Sequence, residues 1–312
     1  MRLAILGATS QIAKDLILSF ARTDQKEELV LFARRPGAVS AWLATVGYAK
    51  HFPVADFSAF GSGNYDAIIN FVGVGNPARA VAIGAAIVDI TLKYDELALN
   101  YLHRHPACRY LFMSSGAAYG GAFNEPVPHA SKAAISLNDL PREEWYGAAK
   151  LHAECRHRNL PDMAIIDIRI FNYFSRTQDL SARFLLTDML RSIREGTVLR
   201  VTPDYIVRDY LHPVDFYNLI RCLLTCQPAN AAIDCYTRAP VDKPTLIAEM
   251  QQRFGLRYEI TDAQVAVNAT GTKPYYYSLN RRAADFGYSP TRTSIEGIVE
   301  EAHAIFMTVG SS

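Results

Sequence analysis

The feature that most constrains the fold lies at the N-terminus, where a short apolar run leads into a glycine turn and a helical pattern. Residues 3–6 are apolar, Gly7 follows, and an amphipathic pattern covers Gln11–Arg22. A strand, a glycine turn and a helix open a dinucleotide-binding unit, in which the helix N-terminus receives a pyrophosphate. The turn has the spacing Gly-x-x-Gly-x-x-Gly, but Ser10 and Ala13 replace its second and third glycines. By itself the turn is equally compatible with an ordinary β-α connection.

Further apolar runs of strand length alternate with helical patterns along the first half of the chain. They cover residues 29–33, 54–57, 67–72, 110–113 and 164–170. Alternation of this kind is typical of a parallel sheet covered by helices on both faces. The predicted fold class is therefore α/β, a Rossmann-type doubly wound parallel sheet with a smaller C-terminal substrate-binding domain.

The regular alternation ends after residue 171, which sets the predicted domain boundaries. We assign residues 1–171 to the dinucleotide-binding domain, with 206–237 returning to it, and residues 172–205 and 238–312 to the substrate-binding domain. One long helix is predicted over 79–103, with an apolar surface wide enough for the core or an oligomer interface. A helix over 215–225 is predicted to be capped by Asp215, and a last strand of the main sheet over 234–237.

The composition excludes several classes of partner. The chain of 312 residues has 32 Lys and Arg against 31 Asp and Glu, so its net charge is +1 and gives no field that recruits nucleic acid or a membrane surface. No apolar run reaches the roughly 18 residues of a membrane span, and the strand-like start leaves no room for a signal peptide. The five cysteines are scattered without a Cys-x-x-Cys pair, which favours free thiols over a metal site. Free thiols in turn favour a reducing compartment, and we expect a cytoplasmic location.

Two arginines after the second apolar run bear on cofactor choice. In dinucleotide-binding folds an acidic residue at this point binds the ribose 2′-hydroxyl, whereas arginine accommodates a 2′-phosphate. Arg34 and Arg35 therefore favour NADP(H), while NAD(H) stays possible and a solvated loop is the structural alternative. Asp56, after the third run, is placed to meet the adenine amino group, and Gly73 and Gly75 follow the fourth run, where the backbone can approach a ligand.

A tyrosine and a lysine four residues apart provide the acid/base chemistry. Tyr146 and Lys150 lie on one face of a helix predicted over 143–159. An ammonium close to a phenol favours the phenolate and is expected to lower the pKa of the tyrosine from about 10. The spacing alone is common on exposed helices. Ser115, at the end of the fifth run, supplies a hydroxyl at the same edge of the sheet.

The order of these motifs resembles the extended short-chain dehydrogenase/reductases, the NAD(P)-dependent nucleotide-sugar epimerase/dehydratase/reductase family. The glycine turn is followed by Ser-Ser-x-x-x-Tyr-Gly, Tyr-x-x-x-Lys, Arg-Ile-Phe-Asn at 169–172 and Arg-Asp-Tyr-Leu-His-Pro-Val-Asp at 208–215. The resemblance extends from residue 3 to about residue 298. It implies a nucleotide-diphosphate sugar as substrate and a homodimer packed through two helices per subunit.

The resemblance also implies roles for individual residues. Ser115, Tyr146 and Lys150 would be catalytic, with Lys150 also holding the nicotinamide ribose. The nucleotide-sugar would contact Ser115, Asn172, Arg208 and Arg292, the two arginines enclosing the diphosphate. The residues expected to bind the cofactor are Gly7, Thr9, Ser10, Gln11, Ile12, Arg34, Arg35, Asp56, Phe57, Phe71, Val72, Gly73, Ser114, Tyr146 and Lys150.

Departures from the family pattern narrow the reaction. Sugar 4,6-dehydratases of the family carry an Asp-Glu pair after the catalytic residue, and the 3,5-epimerase/reductases carry a cysteine two residues after it. Here these positions are Gly116 and Ala117, which move no proton. Reduction of a 4-keto sugar and C4 epimerisation remain, and the arginine pair favours the reductase. A non-catalytic NADP-binding sensor is a third hypothesis. The tyrosine run 275–277 either stacks on a base or sugar or packs as a strand.

Overall fold

The structure, a computed structural model, describes residues 1–23, 27–74, 77–121, 123–136, 138–262 and 273–309. Gly75, which the sequence places after the fourth strand, lies outside the described residues. Among them, no helix combines the length and the apolar character needed to cross a bilayer.

A seven-stranded parallel sheet forms the centre of the molecule, in the order β11-β6-β5-β4-β1-β2-β3. The strands within the described ranges are β1 (Arg2–Leu6), β2 (Glu28–Phe32), β3 (Val54–Ala55), β4 (Ala67–Asn70), β5 (Arg109–Ser115), β6 (Ile165–Ile170), β7 (Asn172–Tyr173), β8 (Val198–Val201), β9 (Val207–Arg208), β10 (Tyr210–Leu211), β11 (Ala231–Asp234), β12 (Val241–Asp242), β13 (Arg257–Ile260) and β14 (Tyr275–Tyr276). The predicted doubly wound α/β fold is confirmed.

Helices cover both faces of this sheet and build the C-terminal part. They are α1 (Gln11–Arg22), α2 (Pro36–Thr45), α3 (Pro77–Ile83), α4 (Ala86–Arg104), α5 (Trp145–Arg158), α6 (Leu185–Glu195), α7 (Pro213–Thr225), α8 (Lys243–Phe254) and α9 (Ser294–Val309), with short 3-10 turns at Phe57–Ser62, Gly116–Tyr119 and Arg282–Phe286. The main-sheet strands are almost wholly buried, as expected for parallel strands between two helical layers.

The strand order reverses between β1 and β4, which places a crevice at the carboxyl ends of these two strands. Ligands of open α/β sheets bind at such a switch point. The ends of β1, β2, β4 and β5 therefore bring the glycine turn, the arginine pair, the 71–74 segment and Ser115 to one edge.

A separate hydrophobic cluster fills the C-terminal part, formed by side chains between Phe174 and Phe306. Three small sheets accompany it: β10 with β7, β12-β9-β14, and β13 with β8. Ala283 and Tyr288, by contrast, pack into the main core beside β11 and α7. The predicted domain division stays a prediction.

Two predicted elements differ from those observed. The helix expected over 79–103 is two helices, because Gly84 adopts φ +58° and separates α3 from α4. The apolar residues of α4 face the core, whereas Asp89, Lys93, Glu96 and Asn100 are exposed. The wide apolar outer surface expected for an interface is therefore not present on α4.

The cap of α7 and the last strand of the main sheet were also placed wrongly. The helix begins at Pro213, and the ring of His212, not Asp215, accepts the hydrogen bond from the amide of Val214 at 3.2 Å. Asp215 is buried and accepts hydrogen bonds from Thr291 instead. The strand β11 ends at Asp234, where the prediction began it.

Candidate functional site

The glycine turn after β1 is shaped for a close approach of backbone. Gly7 has φ +80°, and a Cβ placed on it would lie 2.9 Å from the amide nitrogen of Val72. Its own amide donates to the carbonyl of Phe32 at 2.9 Å. A side chain at this position would be strained and would push β4 away. The close approach of the backbone at the switch point therefore requires a glycine at the first position of the motif.

The N-terminus of α1 lies at this edge, and among the described residues no side chain caps its backbone amides. Ser10 occupies the cap position, but its hydroxyl makes no capping bond. Thr9 is exposed, Ile12 packs against the main core, and the side-chain amide of Gln11 donates to Ser175 at 3.0 Å and Gln178 at 3.1 Å. Free amides at a helix N-terminus are suited to a pyrophosphate.

The predicted adenosine end of the cofactor site is open to solvent. Arg34 and Arg35 follow β2, are exposed, and form no ion pair with another described residue. Asp56 is also exposed, but its carboxylate accepts from the amide and hydroxyl of Ser58, and these bonds lower its pKa. The ring of Phe57 packs on Tyr94, with centroids 4.6 Å apart.

The segment after β4 leads to the catalytic groups. Phe71 is buried and its amide donates to Leu6 at 2.8 Å. The amide of Val72 donates to the side chain of Asn70 at 2.9 Å. Gly73 is exposed, and a Cβ on it would lie 3.5 Å from Nζ of Lys150. The lysine thus lies beside the edge at which a dinucleotide would lie.

Ser115, Tyr146 and Lys150 meet at the end of β5 and the start of α5. Ser115 lies close enough to the Tyr146 phenol to lower its pKa, and Nζ of Lys150 lies 5.8 Å from the centre of the Tyr146 ring. Lys150 is 3% exposed, donates to the carbonyl of Met113 at 2.6 Å, and lies over Phe112. Burial lowers the pKa of Lys150 to about 8.

The predicted lowering of the Tyr146 pKa is wrong. Burial raises the pKa of Tyr146, and the hydrogen bond with Ser115 only opposes that rise. The reason is that burial disfavours the phenolate, while the ammonium of Lys150 lies beside the ring and is bonded to a carbonyl.

Close packing explains the missing acid next to Ser115. A Cβ on Gly116 would lie 2.4 Å from two atoms of the Phe171 ring, and one on Gly147 would lie 2.3 Å from the carbonyl oxygen of Ala117. The 3-10 turn after Ser115 is thus pressed between β6 and α5. A carboxylate at position 116 has no space, which agrees with the prediction that the site lacks the acid groups for 4,6-dehydration of a sugar.

Ser114 has a structural partner. Its hydroxyl donates to Glu154 at 2.5 Å, and Glu154 also pairs with Arg169. Arg169 extends to Tyr119 at 2.7 Å and to Asp234. This buried network ties β5, α5, β6 and β11 together below the site. This network by itself accounts for the burial of Ser114.

The predicted substrate residues lie in two places. Asn172 donates to the carbonyls of Asp209 and Tyr276, and the guanidinium of Arg208 donates to the carbonyls of Val207 and Lys273. Arg208 also lies 6.0 Å from the centre of the Tyr276 ring, whose hydroxyl is 3.3 Å from Ser115.

Arg292 has different neighbours. Its guanidinium pairs with Glu300 at 2.6 Å and contacts Thr291, and its amide donates to Asp215. Among the described residues, no hydrogen bond or ring contact joins it to Arg208.

Two residues near the serine were missed by the sequence analysis. The hydroxyl of Tyr276 lies 3.3 Å from Oγ of Ser115, and Nζ of Lys273 lies 5.0 Å from the centre of the Tyr276 ring. Burial and the charge of Arg208 lower the pKa of Lys273. The tyrosine run 275–277 pointed to this region in the sequence, but it did not show which of its rings would face Ser115.

A histidine and two carboxylates gather at the start of α7, but they are already neutralised. The carboxylates of Glu300 and Glu301 lie within 4.8 Å of His212. Glu301 pairs with Arg176 and with His212 at 3.2 Å, while Glu300 pairs with Arg292. The group is explained as an ion-pair network.

Solved structures share this fold over nearly the whole chain. A UDP-glucose 4-epimerase from Stenotrophomonas maltophila, with bound NAD and formylated UDP-arabinopyranose, has a TM-score of 0.79 at 16% identity and covers 99% of both chains. A dTDP-glucose 4,6-dehydratase from Bacillus anthracis str. Ames, in complex with NAD, has a TM-score of 0.77 at 15% identity, covering 99% of this chain and 97% of the other. A UDP-glucuronic acid 4-epimerase from Bacillus cereus, in complex with NAD, has a TM-score of 0.75 at 14% identity and covers 99% of both.

At the level of sequence, no curated protein matches the chain. The model of the NAD dependent epimerase/dehydratase family matches residues 3–233. This match spans the glycine turn, the Ser115 edge, the Tyr-x-x-x-Lys helix and the return to the main sheet, and it confirms the resemblance drawn from the motifs. The chain therefore belongs to the NAD dependent epimerase/dehydratase family.

Proposed function

We propose that the protein reduces a nucleotide-diphosphate-4-keto-(6-deoxy)hexose at C4 with NADPH, in the biosynthesis of deoxysugars for cell-surface polysaccharides. The observation that carries the proposal is the pairing of Ser115 and Tyr146 beside Lys150, with Gly116 held against the Phe171 ring. This site has hydroxyl groups for one carbonyl and no acid or thiol at positions 116 and 117 for chemistry at a neighbouring carbon.

The residues along the sheet edge fit a dinucleotide. The turn at Gly7 and the free amides of α1 suit the pyrophosphate. Arg34 and Arg35 are exposed without an acidic partner among the described residues, and so are available to a ribose 2′-phosphate. Lys150, next to Gly73, is placed to donate to the nicotinamide ribose.

The residues across the cleft fit an anionic substrate. Arg208 is 7% exposed, and its guanidinium donates to the backbone carbonyls of Val207, Lys273 and Pro274. Lys273 lies over the same tyrosine ring as Arg208. Two cations held close together in a buried site are unfavourable unless an anion joins them. A diphosphate would do so, with Lys273 in the role predicted for Arg292.

The chain's own residues then account for the proton transfer. NADPH, when bound, would supply the hydride that C4 receives. Ser115 and Tyr146 donate hydrogen bonds to the 4-keto oxygen, and Tyr146 transfers its proton to that oxygen as the C4–H bond forms. Lys150 stabilises the phenolate that remains, and solvent returns the proton to Tyr146. One ketone, one hydride and one proton thus give one alcohol.

C4 epimerisation is the second candidate, favoured by the fold neighbours. Two of the three solved structures described above are named as 4-epimerases and hold NAD. The same Ser115, Tyr146 and Lys150 would serve an oxidation and re-reduction at C4. A regulator that binds NADP without turnover is the third reading, and it gives no role to the Tyr146–Ser115 contact.

The test uses Tyr146→Phe, with wild type and Tyr277→Phe measured beside it. Wild type should oxidise NADPH with at least one member of a panel of CDP-, dTDP-, GDP- and UDP-4-keto-6-deoxyhexoses. Tyr146→Phe should lose on the order of 10²–10⁴-fold in turnover while binding NADPH as wild type does. Near-normal turnover of that variant would overturn the assignment. For the oligomeric state, we propose a homodimer, which sedimentation would test.

A further inference from the structure

The hydroxyl of Tyr276 lies next to Ser115. Its oxygen is 3.3 Å from Oγ of Ser115. Tyr276 belongs to β14, which pairs with β9 so that Tyr276 is level with Arg208. The side chain is 7% exposed. A residue from the C-terminal third of the chain therefore reaches into the catalytic group of the main sheet.

Packing and hydrogen bonds hold this strand in place. The Tyr276 ring contacts the rings of Phe123 and Phe171, with centroids 4.8 Å and 5.2 Å apart. Two residues later, Ser278 donates to Asp234 at 2.6 Å, and the carbonyl of Tyr277 accepts from the amide of Val127 at 3.0 Å. The position of the Tyr276 hydroxyl is thus set by neighbours on both sides.

The hydrogen bonds around Ser115 restrict where its one proton can go. Its oxygen accepts from the amide of Ala117 at 3.2 Å and lies 3.3 Å from the hydroxyl of Tyr276, and Ser115 also lowers the pKa of the nearby Tyr146 phenol. Burial raises the pKa of Tyr276, so this phenol keeps its proton. When negative charge develops on Tyr146, the Ser115 proton must point there, and Tyr276 is left as the donor to Ser115.

We propose that Tyr276 is a positioning residue that donates to Oγ of Ser115 and so keeps the single serine proton free for the oxygen that carries negative charge, which is Tyr146 in the free protein and the substrate oxygen during turnover. The proposal rests on the proposed function for its consequence in turnover, and it applies equally to reduction and epimerisation at C4. When Tyr276 donates to Ser115 and Ser115 donates to a negatively charged oxygen, the hydrogen bonds reinforce one another and stabilise that charge better than one hydroxyl alone.

Three cations surround this chain of hydroxyls. Lys150 lies 5.8 Å from the Tyr146 ring centre, and Arg208 and Lys273 lie 6.0 Å and 5.0 Å from that of Tyr276. The charge of Arg208 lowers the pKa of Tyr276, but burial is the largest cause for each tyrosine and raises the pKa of both. Removing the Tyr276 hydroxyl leaves the cations in place, so its effect reports on the hydrogen bond.

The experiment measures the ionisation of Tyr146 directly. An alkaline ultraviolet titration of wild type minus that of Tyr146→Phe isolates this phenol, and the same difference is taken in the Tyr276→Phe background. Tyr276→Phe should raise the pKa of Tyr146 by about 0.4 to 1, the equivalent of one hydrogen bond. Tyr275→Phe, the same change on a strand neighbour whose ring faces Tyr205, should leave the titration unchanged.

A double-mutant cycle separates positioning from packing. In the Ser115→Ala background, Tyr276→Phe should have no further effect on the titration, because its acceptor is gone. An unchanged Tyr146 titration in Tyr276→Phe, or an equal shift with and without Ser115, would overturn the proposal. If Tyr276→Phe does not fold, Tyr276→Met is read in the same way.

Turnover gives the second readout and keeps the two proposals apart. Tyr276→Phe should reduce kcat about 2- to 10-fold, in proportion to the shift in the titration, with KM for the sugar nucleotide little changed. A loss confined to KM would contradict positioning of the proton. If wild type turns over no 4-keto sugar, the proposed function fails, while the titration still decides the role of Tyr276.

Discussion

Replacing His157 should change the pH dependence of stability in a way that the structure specifies. The imidazole is fully buried between two carboxylates, with Nδ1 2.6 Å from Asp167 and Nε2 2.7 Å from Asp95. Burial lowers the pKa of His157, but the hydrogen bonds and charges of the two aspartates outweigh it and raise the pKa to about 9. Arg156 and Arg158 complete the neutralisation from the surface.

The magnitude follows from the two pKa values. The unfolded chain holds this proton only up to about pH 6.5, and the folded protein holds it up to about pH 9. At about 1.4 kcal/mol per pKa unit, the imidazolium contributes about 3 kcal/mol to the free energy of unfolding. Because the folded pKa is the higher one, this contribution is fully present below about pH 6.5 and is lost as the pH rises to about 9.

The assay is urea unfolding of wild type and His157→Gln at a series of pH values from about 6 to about 9.5. The difference in unfolding free energy between the two proteins should shrink by about 3 kcal/mol across that range. Taking the difference cancels other groups that titrate there, such as Lys150. A difference that is constant with pH would contradict this prediction, since it would mean that His157 has the same pKa in the folded and the unfolded protein.

Two further predictions concern the candidate site. Lys150→Met should abolish turnover yet raise the free energy of unfolding by about 1–3 kcal/mol near pH 6, because burial lowers the pKa of Lys150 to about 8 and so disfavours its charged form in the folded state. The gain should fade as the pH rises from about 8 toward 10.5. Urea unfolding measures it, and a variant no more stable than wild type near pH 6 would contradict the prediction. Arg34→Ala combined with Arg35→Ala should raise KM for NADPH on the order of tenfold and reduce its dependence on salt, with KM for NADH little changed; equal effects on both cofactors would contradict a 2′-phosphate site.

The sequence was sufficient where the signal is local. The apolar runs identify six of the seven strands of the main sheet to within one or two residues, all but β11, because parallel strands buried on both faces have little choice of composition. The spacing of Tyr146 and Lys150 on one helix, and of Ser115 at a strand end, is enough to place all three at one edge. Their catalytic roles stay predictions until turnover is measured.

The rest depends on contacts between distant parts of the chain. Tyr276 reaches Ser115 across 161 positions of sequence, and no pattern within the tyrosine run reveals which of its three rings points inward. Lys273 and Arg208 are brought together by β9 and β14, strands of two residues each that carry no periodicity. The raised pKa of Tyr146 comes from burial by several elements, which a helix considered alone does not show.

The corrections in the fold have similar causes. A helical pattern continues through Gly84, and only the observed φ of +58° shows that the chain turns there. Asp215 has the chemistry of a helix cap, but tertiary contacts with Thr291 take its carboxylate and leave the cap to His212. In both cases a local preference is overridden by packing.

The most direct test of the account is the stoichiometry of NADPH oxidation by the purified wild-type protein. With a matching member of the panel of 4-keto-6-deoxyhexose nucleotides, the account predicts one NADPH consumed for each sugar reduced at C4. The proposed reduction would be contradicted if the wild type oxidised NADPH with no member of the panel and instead interconverted C4 epimers without net consumption of cofactor.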